Sequence, residues 1–122
     1  MKYAILIYGN LEAREAWQAS SEDEQAAGLR AYGALNDELT ASGELIVTEA
    51  LADPSLTRHV TAGGGAVLAG DGPFAEAKEL LAGFYLVDCE SIDRAAEIAQ
   101  RVPELAGGRI EVRPVMTYSG LD

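Results

Sequence analysis

Two stretches of this chain are apolar on both faces of any strand they could form, and that restricts the folds open to it. Residues 3–8, Tyr-Ala-Ile-Leu-Ile-Tyr, run without polar alternation until Gly9-Asn10 stops them. Leu45-Ile46-Val47 repeats the pattern inside a second strand spanning residues 44–51, which Asp53-Pro54-Ser55 ends. Successive strand side chains point to opposite faces, so runs of this kind need cover on both sides of the sheet. Helices supply one cover, and a second layer must supply the other.

The remaining elements follow from periodicity and punctuation. Residues 11–19 form a short helix carrying Trp17. Ser21-Glu22-Asp23-Glu24 has the capping-box spacing, a hydroxyl for an orphan N–H and a carboxylate reaching back. The helix it opens runs to about residue 42, with Tyr32, Leu35 and Leu39 on one stripe and Gly43 as its stop. Gly28 and Gly33 weaken that helix, and each marks an expected close packing contact. Residues 56–61 and 66–69 flank Gly63-Gly64-Gly65 as a hairpin. A strand starts after Gly83 and continues to Asp88. Ser91 caps a last helix with Ile92, Ala95, Ala96 and Ala99 on one face, and Pro103 ends it. Residues 110–116 close the chain as a strand, where Pro114 marks an edge or a bulge. The order is β-α-β, an inserted hairpin, then β-α-β. Without the insertion it is the ferredoxin-like βαββαβ pattern of an α+β fold, in one domain over residues 1–122. Both helices then cover one sheet face, and an equivalent sheet from a second copy is the simplest cover for the other. The expectation is a homodimer.

Composition excludes several functions. Nine basic against twenty acidic residues give a formal charge of −11, the wrong sign for nucleic acid or an anionic membrane surface. The single Cys89 cannot form an internal disulfide, and no second Cys or His cluster points to a metal site. No feature calls for a cofactor. The N-terminal apolar run is far too short to cross a membrane and lacks the layout of a secretory signal, so a cytoplasmic protein is expected.

The run Asp71-Gly72-Pro73-Phe74-Ala75-Glu76-Ala77-Lys78-Glu79 reads as a tightly specified loop leading into a helical turn. Together with Lys2-Tyr3, Tyr8-Gly9, Ala31-Tyr32-Gly33, Gly83-Phe84-Tyr85-Leu86 and the closing Ile110-Glu111-Val112-Arg113-Pro114-Val115, it resembles the DGPF branch of the YCII-related proteins over nearly the whole chain. The resemblance implies a dimeric α+β barrel and a cleft near the DGPF loop. Where the wider family has a His on its first helix and an Asp before a late Pro, this chain has Tyr32 and Val102. Neither member of that pair carries over, nor does the lyase-type dechlorination suggested for some relatives. The resemblance also offers a regulatory setting, since genes of this branch often neighbour extracytoplasmic-function sigma factors.

Several residues are candidates for chemistry, each with a structural alternative. Asp71 is a general base or ligand-orienting group if desolvated, or else a cap for its own turn. Gly72 and Pro73 set the loop geometry and Phe74 plugs it, so all three can border a ligand. Lys78 can hold an anionic group while Glu79 moves a proton, or both belong to a solvated face. His59 is the only imidazole, placed with Thr57 and Thr61 on one face of the hairpin strand. Arg113 alternates with Glu111 on the last strand and can bind a carboxylate or fix a dimer register. Tyr85 and Tyr32 are further candidate ligand contacts. Two functional readings follow: a small-molecule binder capable of isomerase- or lyase-type proton transfer, or a non-catalytic regulatory module.

Overall fold

The computed structural model describes residues 1–60, 67–69, 79–103, 108–117 and 120–121. Its centre is a four-stranded antiparallel sheet of β1 (Lys2–Gly9), β2 (Leu45–Ala50), β5 (Leu80–Asp88) and β6 (Arg109–Pro114), in the order β2-β5-β1-β6. The helices are α1 (Leu11–Ala19), α2 (Glu22–Ser42) and α3 (Ile92–Arg101). Strand β3 (Arg58–Val60) pairs with β4 (Val67–Ala69), and β7 (Met116–Thr117) with β8 (Gly120–Leu121). With the β3–β4 hairpin set aside, this α+β arrangement is compatible with the ferredoxin-like pattern.

Local signals place the helices. Asn10 caps α1, its side chain accepting from the Ala13 N–H at 2.7 Å. The Ser21–Glu24 capping box opens α2, and Gly43 closes it in the left-handed conformation at φ 81°. Ser91 caps α3 by accepting from the Arg94 N–H. The stripe of α3 differs from expectation. Ile92 sits in the first turn and is exposed, whereas Ala95, Ile98, Ala99 and Val102 are buried. That set keeps the i, i+3, i+4, i+7 rule and starts one turn later.

One face of the sheet carries the core. Tyr3 and Ile5 of β1, Tyr85 and Val87 of β5, Leu35 and Leu39 of α2 and Ile98 of α3 form a buried cluster, with Leu45, Ile110 and Val112 packed against it. Cys89 is buried too, and burial pushes its thiol pKa up. Pro114 lies on an edge strand, where its missing N–H costs no ladder bond. The register puts Ala4, Leu6, Phe84, Leu86 and Val47 on the opposite face.

Two irregularities shape the β2–β5–β1 region. The β2–β5 register shifts between Leu45 and Val47, and the β1–β5 register shifts between Ile7 and Tyr8. Strand β5 begins at Leu80, earlier than the Gly83 signal suggested, and Gly83 lies within it opposite Ala50.

Candidate functional site

A cavity of about 440 Å³ opens between α1, α2 and the β2–β5–β1 part of the sheet. Its position follows from the chain's own packing. Trp17 of α1 comes within 3.4 Å of where a side chain at Gly28 would begin, so the glycine lets α1 lie against α2. Gly33 has no such neighbour. The Gln25 amide donates to the Trp17 carbonyl at 2.9 Å, and Arg14 pairs with Asp53 at 2.7 Å, tying α1 to the segment after β2. The α1 helix thereby roofs one end of the sheet.

The sheet side of the cavity depends on the bulge in β2. Leu45 packs into the core, and strict alternation from it would turn Val47 and Glu49 inward. The register shift instead pairs Thr48 with inward-facing Tyr85, and Glu49 with outward-facing Phe84. Thr48 and Ala50 therefore share the cavity face, and the Glu49 carboxylate belongs to the other. Gly83 completes the wall, because a Cβ there would meet the Glu49 carbonyl oxygen at 2.9 Å. Inward side chains are then Ile7, Trp17, Tyr32, Asn36, Thr48, Ala50 and Tyr85, with the exposed Leu29 at the rim.

The polar inward side chains among the described residues of this wall are neutral and hydrogen-bonded. The Tyr85 hydroxyl donates to Asn36 Oδ1, and burial raises its phenol pKa above the ordinary value. Thr48 Oγ1 donates to the Phe84 carbonyl at 3.0 Å. The Tyr32 hydroxyl donates to the Pro103 carbonyl. A second, shallower groove of about 480 Å³ lies between α3 and β6, where Gln100 is the one polar side chain among the described residues of its lining.

The structure disperses several sequence candidates. Asp71, Gly72, Pro73, Phe74 and Lys78 lie outside the described residues. Glu79 is ion-paired with Arg109. Arg109 also pairs with Glu111 at 2.8 Å and stacks over Tyr8, 4.5 Å from the ring centroid. His59 is half-buried on β3, opposite Leu68. The candidate ligand contacts Arg113 and Tyr85 do not converge: Glu111, beside Arg113 on the last strand, is paired with Arg109 and half-exposed, Arg113 is exposed, and Tyr85 points to the helix side. Alternation accounts for this, since Tyr85 shares the face of Val87 while Glu111 and Arg113 share the face of Leu6 and Ala4. Tyr32 and Tyr85 are brought together around the cavity. Asn36 and Thr48 were not singled out from the sequence. Asn36 was within reach, four residues beyond Tyr32 on the same stripe of α2. Thr48 was hidden by the bulge.

A YCII-related domain matches residues 1–119. The chain belongs to the YCII-related family. It is also 34% identical over 120 residues to an uncharacterized protein, R00369, of Rhizobium meliloti (strain 1021), covering 97% of this chain and 94% of that one. At Tyr32 and Val102, the two positions singled out by the resemblance, the Tyr32 hydroxyl donates to the carbonyl of Pro103, and the neighbouring Val102 is buried. The two positions are neighbours in space, but neither side chain here is a carboxylate or an imidazole. No helix among the described residues is long and apolar enough to cross a membrane.

Proposed function

We propose that this chain is a cytoplasmic homodimer of the DGPF branch that binds a small organic molecule in the cavity under α1. The observation carrying this reading is the cavity itself. Its volume of about 440 Å³ lies in the range of small-molecule sites, and its apolar walls hold a few convergent polar groups, Asn36, Thr48 and Tyr85. The DGPF run ends one residue before β5, and four residues further on that strand reaches the cavity wall at Gly83. Any isomerase- or lyase-type proton transfer falls to Asp71 and Lys78. The inward side chains among the described residues hold no carboxylate, ammonium or imidazole. That same neutrality favours a second reading, a non-catalytic ligand sensor tied to an extracytoplasmic-function sigma factor.

Ala50→Phe tests the cavity by filling it from an edge strand. A small-molecule thermal-shift screen should find compounds that raise the Tm of the native chain and lose that effect in the variant. Stabilisation that persists undiminished in Ala50→Phe contradicts the reading.

A further inference from the structure

Resting on that reading of the cavity, we infer that its ligand is uncharged: a flat, largely apolar molecule, with one ring or two fused rings, bearing an oxygen that accepts a hydrogen bond. The cavity wall argues first against a charge. Every inward side chain among the described residues is formally neutral, and the nearest carboxylate in the lining, Glu49, is turned to the other face by the β2 bulge. Moving an ionised ligand group from water against such a wall removes its hydration without a counter-charge from the inward side chains of the described residues, the arrangement that buried charges avoid. Tyr85 does not change this, because burial pushes its phenol pKa further above the ordinary value.

Shape follows from the aromatic content. Trp17, Tyr32 and Tyr85 present rings from two helices and the sheet, and rings pack on rings in offset or edge-to-face contact. Polarity follows from hydrogen bonds already made. Asn36 Oδ1 accepts from Tyr85, so what Asn36 has left to offer a ligand is its amide NH2, a donor. The Thr48 hydroxyl proton is committed to the Phe84 carbonyl. The site therefore favours a carbonyl, amide or ether oxygen at the Asn36 end, with hydrocarbon toward Trp17 and Leu29.

Isosteres that differ in charge test this directly. Trp17 is the chain's single tryptophan, so its fluorescence reports on the roof of the cavity. Titration at pH 7 with 2-naphthamide and with 2-naphthoate, cross-checked by calorimetry, should give a Kd at least tenfold lower for the amide. Asn36→Leu should weaken the amide by about tenfold, and Ala50→Lys, which adds a cation at the rim, should narrow or invert the preference. Equal or tighter binding of naphthoate by the native chain overturns the inference about charge while leaving the cavity as the binding site. Failure of both probes to bind overturns the cavity reading along with it.

Discussion

Gly83 shows how one side chain's absence sets the site. Its backbone lies against the Glu49 carbonyl, with a would-be Cβ at 2.9 Å from that oxygen and 3.4 Å from the Ala50 Cα. These are backbone atoms of a paired strand, so they cannot swing aside as a side chain would. Gly83→Ala must push β2 away from β5 beside the cavity, at a cost of about 1–3 kcal/mol. Urea denaturation should show that loss, with ligand binding weakened alongside it; a variant as stable as the native chain would contradict the packing described. The sequence marks Gly83 as a break before a strand, and it proves to be a contact inside one. A glycine's signal is the same for a turn and for close approach, and only the neighbouring strand distinguishes them. Gly28 and Gly33 make the same point: the first meets Trp17 and the second meets nothing within 4 Å.

At the scale of elements, the start of β2 is fastened to α3 by charge. Arg94 donates from Nε to Glu44 Oε2 and from Nη2 to Glu44 Oε1, both at 2.8 Å, a two-point fork. The Arg94 hydrogen bonds, opposed by partial desolvation, lower the Glu44 pKa from 4.5 to about 2. A carboxylate depressed on folding stabilises the native state above its unfolded pKa and loses that contribution as pH falls through the folded value. The advantage of the native chain over Glu44→Gln should thus be full at pH 6, shrink below pH 4.5 and vanish near pH 2. Because the pair is partly open to solvent, its size should be on the order of 1 kcal/mol. Denaturation at a series of pH values checks it, and a difference independent of pH contradicts it. Helix ends were the most legible elements: Ser21, Gly43 and Ser91 stand at caps in the sequence and in the structure, while Asn10, read only as the end of the first strand, also caps α1. The β2 bulge was not legible. Leu45-Ile46-Val47 is uniformly apolar, so no polar residue marks where alternation slips, and the inward placement of Thr48 depends on pairing with β5.

At the scale of the molecule, the described helices fill one face of the sheet, and the other face carries partly exposed side chains. Ala4, Leu6, Phe84 and Leu86 form a stripe across its centre, flanked by Val47 and Glu49 on β2 and by Arg109, Glu111 and Arg113 on β6. The doubly apolar strands had demanded a second cover from the outset, which is why the α+β layering was readable while the pocket was not. A two-fold axis along the strands would set the edge bearing Glu49 over the edge bearing Arg113. The proposed homodimer should appear as twice 12.9 kDa by light scattering, and Leu6→Asp should shift it toward monomer. A native chain that is monomeric at micromolar concentration contradicts the dimer. The central claim is the ligand cavity beneath α1, and amide chemical-shift mapping with 2-naphthamide locates binding most directly. The largest changes should fall at Asn36, Ala50, Gly83 and Tyr85 and at the Trp17 indole N–H. Changes centred on Leu86 and Arg113, in the groove between α3 and β6, or nowhere would contradict it.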